Sequence, residues 1–229
     1  EFPHYHMIDL SDQLPAYLES YRKEGLRFDA LCTGFLSNPT QAQIARSCLQ
    51  LLKEDALVLI DPVLGDGGRP YPTITKEIIT QMRSLASEAG VLLPNLTELC
   101  LLCGRPYPDA FPSRDFLLSC CEELCAAGTR NVVVSGLELD GRCCSFIYAE
   151  GKADEVWNEK VGEGRPGSGD VFAAVIAGSL LRHETLHQSV ERAARFVEAA
   201  MRKTLQEQAP HAWGLCFEGL LSELMPTAR

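Results

Sequence analysis

Gly167-Ser168-Gly169-Asp170 runs directly into Val171-Phe172-Ala173-Ala174-Val175-Ile176-Ala177. Three small residues, a carboxylate and an apolar helix in that order can build an anion site with a base beside it. Glycines let backbone N–H groups point into a cavity with no Cβ in the way. The start of a helix adds unpaired N–H donors and the positive end of its dipole, which suits phosphate. A carboxylate beside a bound phosphate is repelled by it, so its presence points to a chemical role, that of taking the proton from a hydroxyl that attacks phosphorus. The same four residues also serve as an ordinary helix start, with Ser168 or Asp170 capping the first turn. Taken alone, they leave both readings open.

Two further stretches carry carboxylates. Asp61-Pro62-Val63-Leu64-Gly65-Asp66-Gly67-Gly68 sets Asp61 and Asp66 in a glycine-rich turn, and Asn95-Leu96-Thr97-Glu98 sets an amide and a carboxylate three apart at a helix start. The first also reads as a tight turn with Asp side chains on nearby N–H groups, and the second as an Asn cap with a first-turn Glu. A helix cap can face a ligand as well. No Gly-x-x-x-x-Gly-Lys-Ser/Thr loop occurs, so any phosphate site here is not of the P-loop kind. A phosphate site without that lysine needs other cations, and carboxylates at strand ends hold Mg²⁺ through water.

These residues need elements to position them, and the pattern supplies alternating helices and strands. A helix is predicted over about 11–25, capped by Ser11 or Asp12, then a short buried strand over 29–34. Another helix spans about 38–54, with Asn38 as cap and Pro39 at the first helical position. A buried strand follows over 56–60, a helix near 75–88, a strand over 90–93, a short helix to Gly104 and a longer one over 113–127. The strand 131–134 ends at Ser135-Gly136. Residues 142–149 and 153–158 read as a strand pair at an edge, and helices are predicted near 169–183, 187–207 and 214–225. Apolar strands separated by helices imply an α/β fold, a mostly parallel sheet with helices on both faces. In such sheets ligands bind beyond the carboxyl ends of the strands. Thr33-Gly34-Phe35, Asp61-Pro62, Pro94-Asn95 with Glu98, and Ser135-Gly136 all stand at such ends. No internal repeat or linker interrupts the 229 residues, so a single domain is expected.

The formal charge of -10 and the lack of a long basic run exclude wholesale nucleic-acid binding and attachment to an anionic membrane. No apolar run approaches the ~20 residues that cross a bilayer, and the first residues carry no signal-peptide pattern. A soluble, cytoplasmic protein is expected. The ten cysteines lie mainly in apolar helix- or strand-like segments, where Cys packs as a small hydrophobe. Cys100-x-x-Cys103 has the spacing of half a zinc or redox motif but no second pair to complete it.

The chain resembles the pyridoxal kinase branch of the ribokinase-like superfamily. The likeness rests on Thr33-Gly34-Phe35-Leu36, Asp61 through Gly68, Pro94-Asn95-Leu96-Thr97-Glu98 with Leu101 and Gly104 behind it, and Gly167 through Ala174, in the family's order. The resemblance implies a three-layer ribokinase-like sandwich and ATP-dependent phosphorylation of the 5′-hydroxyl of pyridoxal, pyridoxine or pyridoxamine in vitamin B6 salvage. It makes Asp170 the base and the N–H groups of Gly167, Ser168 and Gly169 the anion hole. Asp61 and Glu98 would orient Mg²⁺ on the ATP phosphates through water, with Asn95 supporting, Asp66 nearby and Ser135 touching the phosphates. Phe35 would stack on the pyridine ring. A homodimer and an activating K⁺ also follow from the resemblance alone.

Ser168 stands where Thr is usual, which leaves backbone contacts intact, and Leu93 stands where Thr or Ala is common. The resemblance places the family's opening strand, a pyridoxal-contacting Ser and the loop over the ring before Glu1. A molecule without them is expected to lack activity and fold poorly. Two other readings stand beside the first: a hydroxymethylpyrimidine or other small-alcohol kinase, and a non-catalytic vitamin-binding protein on the same fold. Asp170 and Glu98 count against the binder, which has no use for a base beside a phosphate hole.

Overall fold

The computed structural model describes residues 4 and 6–225. Residues 1–3 and 5, part of the opening that the resemblance places just after the family's first elements, lie outside the described residues. The first helix, α1 (Leu14–Lys23), starts behind Gln13 and not at Ser11 or Asp12. The Ser11 N–H instead donates to Asp9 Oδ1 at 2.8 Å, and Pro15 in the first turn has no N–H to satisfy. β1 (Phe28–Thr33) follows. α2 (Pro39–Cys48) opens as predicted, with Asn38 Oδ1 accepting the Gln41 N–H at 3.0 Å.

That helix ends early, in a 3-10 turn over Leu49–Leu51, and β2 (Leu52–Ile60) begins before the predicted Ala56. Lys53, Glu54 and Asp55 read as a polar helix end. Strand pairing overrides that preference: Leu52 lies opposite Phe28, and Lys53 Nζ sits 2.6 Å from Asp29 across the pair. A short antiparallel ribbon, β3 (Gly65–Asp66) and β4 (Arg69–Pro70), precedes α3 (Lys76–Ala86), which Thr75 caps and which buries Ile78, Met82 and Leu85 on one face. β5 (Val91–Leu92), α4 (Leu96–Cys103) and α5 (Arg114–Ala126) come next.

β6 (Asn131–Leu139) continues through Ser135 and Gly136, where a strand end was expected, because it feeds a meander with β7 (Arg142–Ala149) and β8 (Lys152–Glu159). Asp140-Gly141 and Glu150-Gly151 make the turns with φ of 48, 73, 53 and 72°, the left-handed pairs that two-residue hairpins demand. α6 (Ser168–Leu180) and α7 (Leu186–Gln206) follow. The predicted last helix over 214–225 is a 3-10 segment, Glu218–Leu224. Gly214 and Gly219 would both fall in an α-helix there, and each disfavours it.

The sheet order is β1-β2-β5-β6-β7-β8, parallel from β1 to β6, with flanking helices, so the α/β expectation holds. The chain divides into two compact units, and the meander strands contribute to both. The larger unit, His6–Leu137 with Phe146–Asp154, has Leu59, Ile60, Leu92 and Val132 fully buried in its core. There Thr33 pairs with Ile60 and Ile60 with Leu92 in parallel register, so Gly34, Asp61 and Leu93-Pro94-Asn95 leave the sheet at one edge. In the smaller unit α6 packs on α7, and Ala200, Met201 and Leu215 form a core joined by Val171 and Phe217.

Candidate active site

In the larger unit the two acidic stretches interlock. Asn95 and Glu98 form a reciprocal capping box: Asn95 Oδ1 accepts the Glu98 N–H at 2.9 Å and Glu98 Oε2 accepts the Asn95 N–H at 2.8 Å. Each side chain also reaches the glycine-rich turn. Asn95 Nδ2 donates to the Gly65 carbonyl at 2.8 Å, and Glu98 Oε1 accepts the Leu64 N–H at 2.9 Å. Thr97 Oγ1 accepts the Gly68 N–H at 2.9 Å. The turn is tight: Val63 has a φ of 41°, and a Cβ on Gly65 would meet the Arg69 carbonyl oxygen at 2.3 Å. Asp66 faces solvent and accepts its neighbour's N–H (Gly67) at 2.8 Å. Asp61 is half-buried, and its backbone N–H donates to the Thr33 carbonyl at 3.3 Å. Ser135 forms a parallel bridge with Asn95 on the neighbouring segment, with its N–H on the Pro94 carbonyl at 2.9 Å.

Glu98 is 4% exposed. Burial pushes its carboxyl up to about 8; the Asn95 N–H pulls it back and nearby Asp61 pushes it up again. A buried carboxyl whose proton affinity a neighbouring Asp raises is a place where a divalent cation is favourable. Among the described residues no cluster of three or more His, Cys, Asp or Glu side chains could form a closed cage. The Asp61/Glu98 pair therefore fits an ion held through water, with other ligands supplied by a bound phosphate. Phe35 is exposed just beyond β1, and Thr33 Oγ1 is buried with no hydrogen-bond partner among the described residues.

The smaller unit carries the candidate anion cradle. Asn38, Thr75, Asn95, Ser113 and Thr185 each close a helix start with a side-chain oxygen, but α6 is led by Gly167 at φ 81°, ψ -2°, with no side-chain cap. A residue with a Cβ is strained in that left-handed conformation. The Ser168 N–H donates to the Arg165 carbonyl at 3.2 Å, and the Val171 N–H to the Gly167 carbonyl at 3.0 Å. Asp170 stands exposed in the first turn. It lines a cavity of about 520 Å³ with Gly167, Val171, Ala174, Phe196 and Leu221. A carboxylate and an open helix start thus share one mostly apolar recess.

The structure brings Asp61, Asp66, Asn95, Glu98 and Ser135 into one neighbourhood of the larger unit, and Gly167, Ser168, Gly169 and Asp170 into one turn of the smaller. Sequence reasoning missed Thr97, whose signal was a single hydroxyl between Leu96 and Glu98 in the first turn of α4. It also missed the apolar wall from Phe196 and Leu221, which lie far from Asp170 in sequence and carry no local signal.

The fold and these constellations define a phosphotransferase of the α/β kind. The chain belongs to the phosphomethylpyrimidine kinase family, whose model matches residues 10–212. It is similar to the hydroxymethylpyrimidine/phosphomethylpyrimidine kinase of Aquifex aeolicus, 25% identical over 199 residues, 85% of this chain and 73% of the relative. It is also similar to the pyridoxine/pyridoxal/pyridoxamine kinase of Bordetella avium, 27% identical over 198 residues, 82% of this chain and 65% of that one. A candidate phosphomethylpyrimidine kinase of Bacteroides thetaiotaomicron, crystallised with pyridoxal, superimposes with a TM-score of 0.92 at 31% identity, covering 100% of this chain and 82% of its own.

Proposed function

We propose that this chain transfers the γ-phosphoryl group of ATP to the 5′-hydroxyl of pyridoxal and its pyridoxine and pyridoxamine congeners, a vitamin B6 salvage step. The observation that carries the proposal is the start of α6: a helix led by a left-handed glycine, with no side-chain cap and with Asp170 in its first turn beside an apolar recess. An open helix start attracts anions, and the Asp170 carboxylate accepts the proton of the attacking hydroxyl. N–H groups of Gly167 and Gly169 stabilise charge on the transferring group, with Ser168 between them held on the Arg165 carbonyl. Asp61 and Glu98 hold the water shell of Mg²⁺, Asn95 and Asp66 support them, and Ser135 contacts ATP phosphates. Phe35 stacks on the pyridine ring. Bound Mg²⁺ would supply charge neutralisation on the phosphates. A cytoplasmic homodimer with K⁺ as activator belongs to the same reading.

The test is pyridoxal-dependent ADP release, run beside Asp170→Asn. Turnover should fall ~10²–10⁴-fold in the variant with ATP affinity little changed; near-normal turnover removes Asp170 from the base role. The family's own description and the Aquifex relative favour a second reading, phosphorylation of hydroxymethylpyrimidine. Parallel rates with pyridoxal, pyridoxamine and hydroxymethylpyrimidine separate the two. Calorimetric binding of pyridoxal with no ADP formed would instead support a non-catalytic binder.

A further inference from the structure

Within the smaller unit, the chain enters α6 through Arg165-Pro166-Gly167-Ser168. The Ser168 N–H on the Arg165 carbonyl at 3.2 Å closes these four residues as a β-turn. Pro166 fixes φ at the second position, and Gly167 at φ 81°, ψ -2° takes the left-handed third position of a type II turn. Type I and type II turns differ by a flip of the central peptide, here Pro166–Gly167. That peptide is trans, so the Pro166 carbonyl and the Gly167 N–H point to opposite sides of one plane. Whatever fixes the carbonyl therefore aims the N–H.

Residues 209–216 form a strap that does so. Both ends are fastened to one residue of α7, the fully buried Thr204. The Ala209 N–H donates to the Thr204 carbonyl at 3.2 Å and the Cys216 N–H to Thr204 Oγ1 at 2.8 Å. Three consecutive residues ahead of α6 meet this strap. His211 Nε2 donates to the Gly164 carbonyl at 2.8 Å. Arg165 Nη1 donates to the carbonyls of Ala209 and Pro210, each at 3.0 Å. The Pro166 oxygen lies so close to Gly214 that a Cβ there would sit 2.7 Å from it. Arg165 is thus tied at both ends, its guanidinium on the strap and its own carbonyl on Ser168.

We propose that Arg165 is a positioning residue for the phosphoryl transfer set out above. It draws the strap against the turn and so keeps the Pro166–Gly167 peptide in the one orientation that offers the Gly167 N–H as an anion donor. This rests on that reading of the α6 start. With the side chain removed, the peptide flips more readily and the donor is aimed for only part of the time. Charge developing on the transferring group loses most from this, because a donor held in a fixed orientation favours the transition state over the bound ground state.

Arg165→Ala and Arg165→Lys are compared with the wild-type chain by steady-state ADP release, with pyridoxal and with hydroxymethylpyrimidine, and by backbone hydrogen exchange. In Arg165→Ala kcat should fall about 10–100-fold, less than the loss of a whole anion-hole donor, with both KM values within about threefold of wild type. The Ser168 amide should exchange about tenfold faster or more, while amides in the middle of α7 keep their rates. Arg165→Lys should recover most of kcat, because a single nitrogen serves both strap carbonyls. Wild-type turnover in Arg165→Ala overturns the inference, as does unchanged Ser168 exchange or a loss that Arg165→Lys does not relieve. A raised KM for ATP at constant kcat also overturns it, by making Arg165 a phosphate ligand. A wild-type chain that releases no ADP with either alcohol overturns the functional reading instead, and exchange alone then decides whether Arg165 holds the turn.

Discussion

At the scale of single residues, Glu98 does two things that are usually separate. It caps α4 and clamps the 61–68 turn through backbone N–H groups, and its burial sets its proton affinity near neutrality. The sign of the consequence follows from linkage. Between its unfolded value of about 4.5 and its folded value of about 8 the carboxyl is protonated in the fold and ionised in the unfolded chain. Unfolding then releases a proton, so stability falls as pH rises through that window, by about 1.4 kcal/mol per unit, and levels off above it. Urea midpoints in chelator at pH 5.5, 6.5 and 7.5 should fall steadily in the wild type and stay flat in Glu98→Gln. A slope of equal size in the variant would assign the effect to another group.

At the scale of elements, what the sequence made legible depended on whether a signal was local. Asn38 with Pro39, Asn95 with Glu98, and Gly104 each predicted a helix boundary that the structure has, because caps are satisfied by chemistry within a few residues. β2 was misjudged because its pairing is settled by a partner distant in sequence, as the Lys53–Asp29 ion pair illustrates, and the far part of β6 because it runs on past Ser135-Gly136 into the meander with β7. The clamp between α4 and the turn belongs to the same class, since neither Gly65 nor Leu64 announces its partner. It makes Asn95 more than a cap. Asn95→Ala removes both the Oδ1 acceptor for Glu98 N–H and the 2.8 Å bond to the Gly65 carbonyl. The cap alone is worth about 1 kcal/mol, and the second bond about the same. Denaturant unfolding should show a loss near that sum, whereas Asn95→Asp should restore only the cap. An Asn95→Asp variant as stable as the wild type would mean the Gly65 bond contributes nothing, and equal losses in the two variants would mean the same of the cap.

At the scale of the whole molecule, the candidate site residues were readable as motifs, but their roles were not, because a role depends on what a group faces. Gly167 shows the difference: its type was visible in the sequence, while its left-handed φ and the missing side-chain cap were not. Two explanations of Asp170 therefore need separating, a base in catalysis and a residue that merely supports the start of α6. Ligand linkage does this without relying on turnover. A nucleotide that binds only the folded chain stabilises it by about 2.7 kcal/mol at a hundred times its Kd, which for a chain of this size raises Tm by roughly 5–11 °C. Melting with Mg²⁺ and ADP should show such a shift in the wild type and a shift of the same size in Asp170→Asn. A variant that keeps its ligand-free Tm and its shift, yet turns over ~10²–10⁴-fold more slowly, has lost a proton acceptor and nothing else. A variant whose ligand-free Tm collapses has lost a helix start, and the base would then have to be sought elsewhere in the recess.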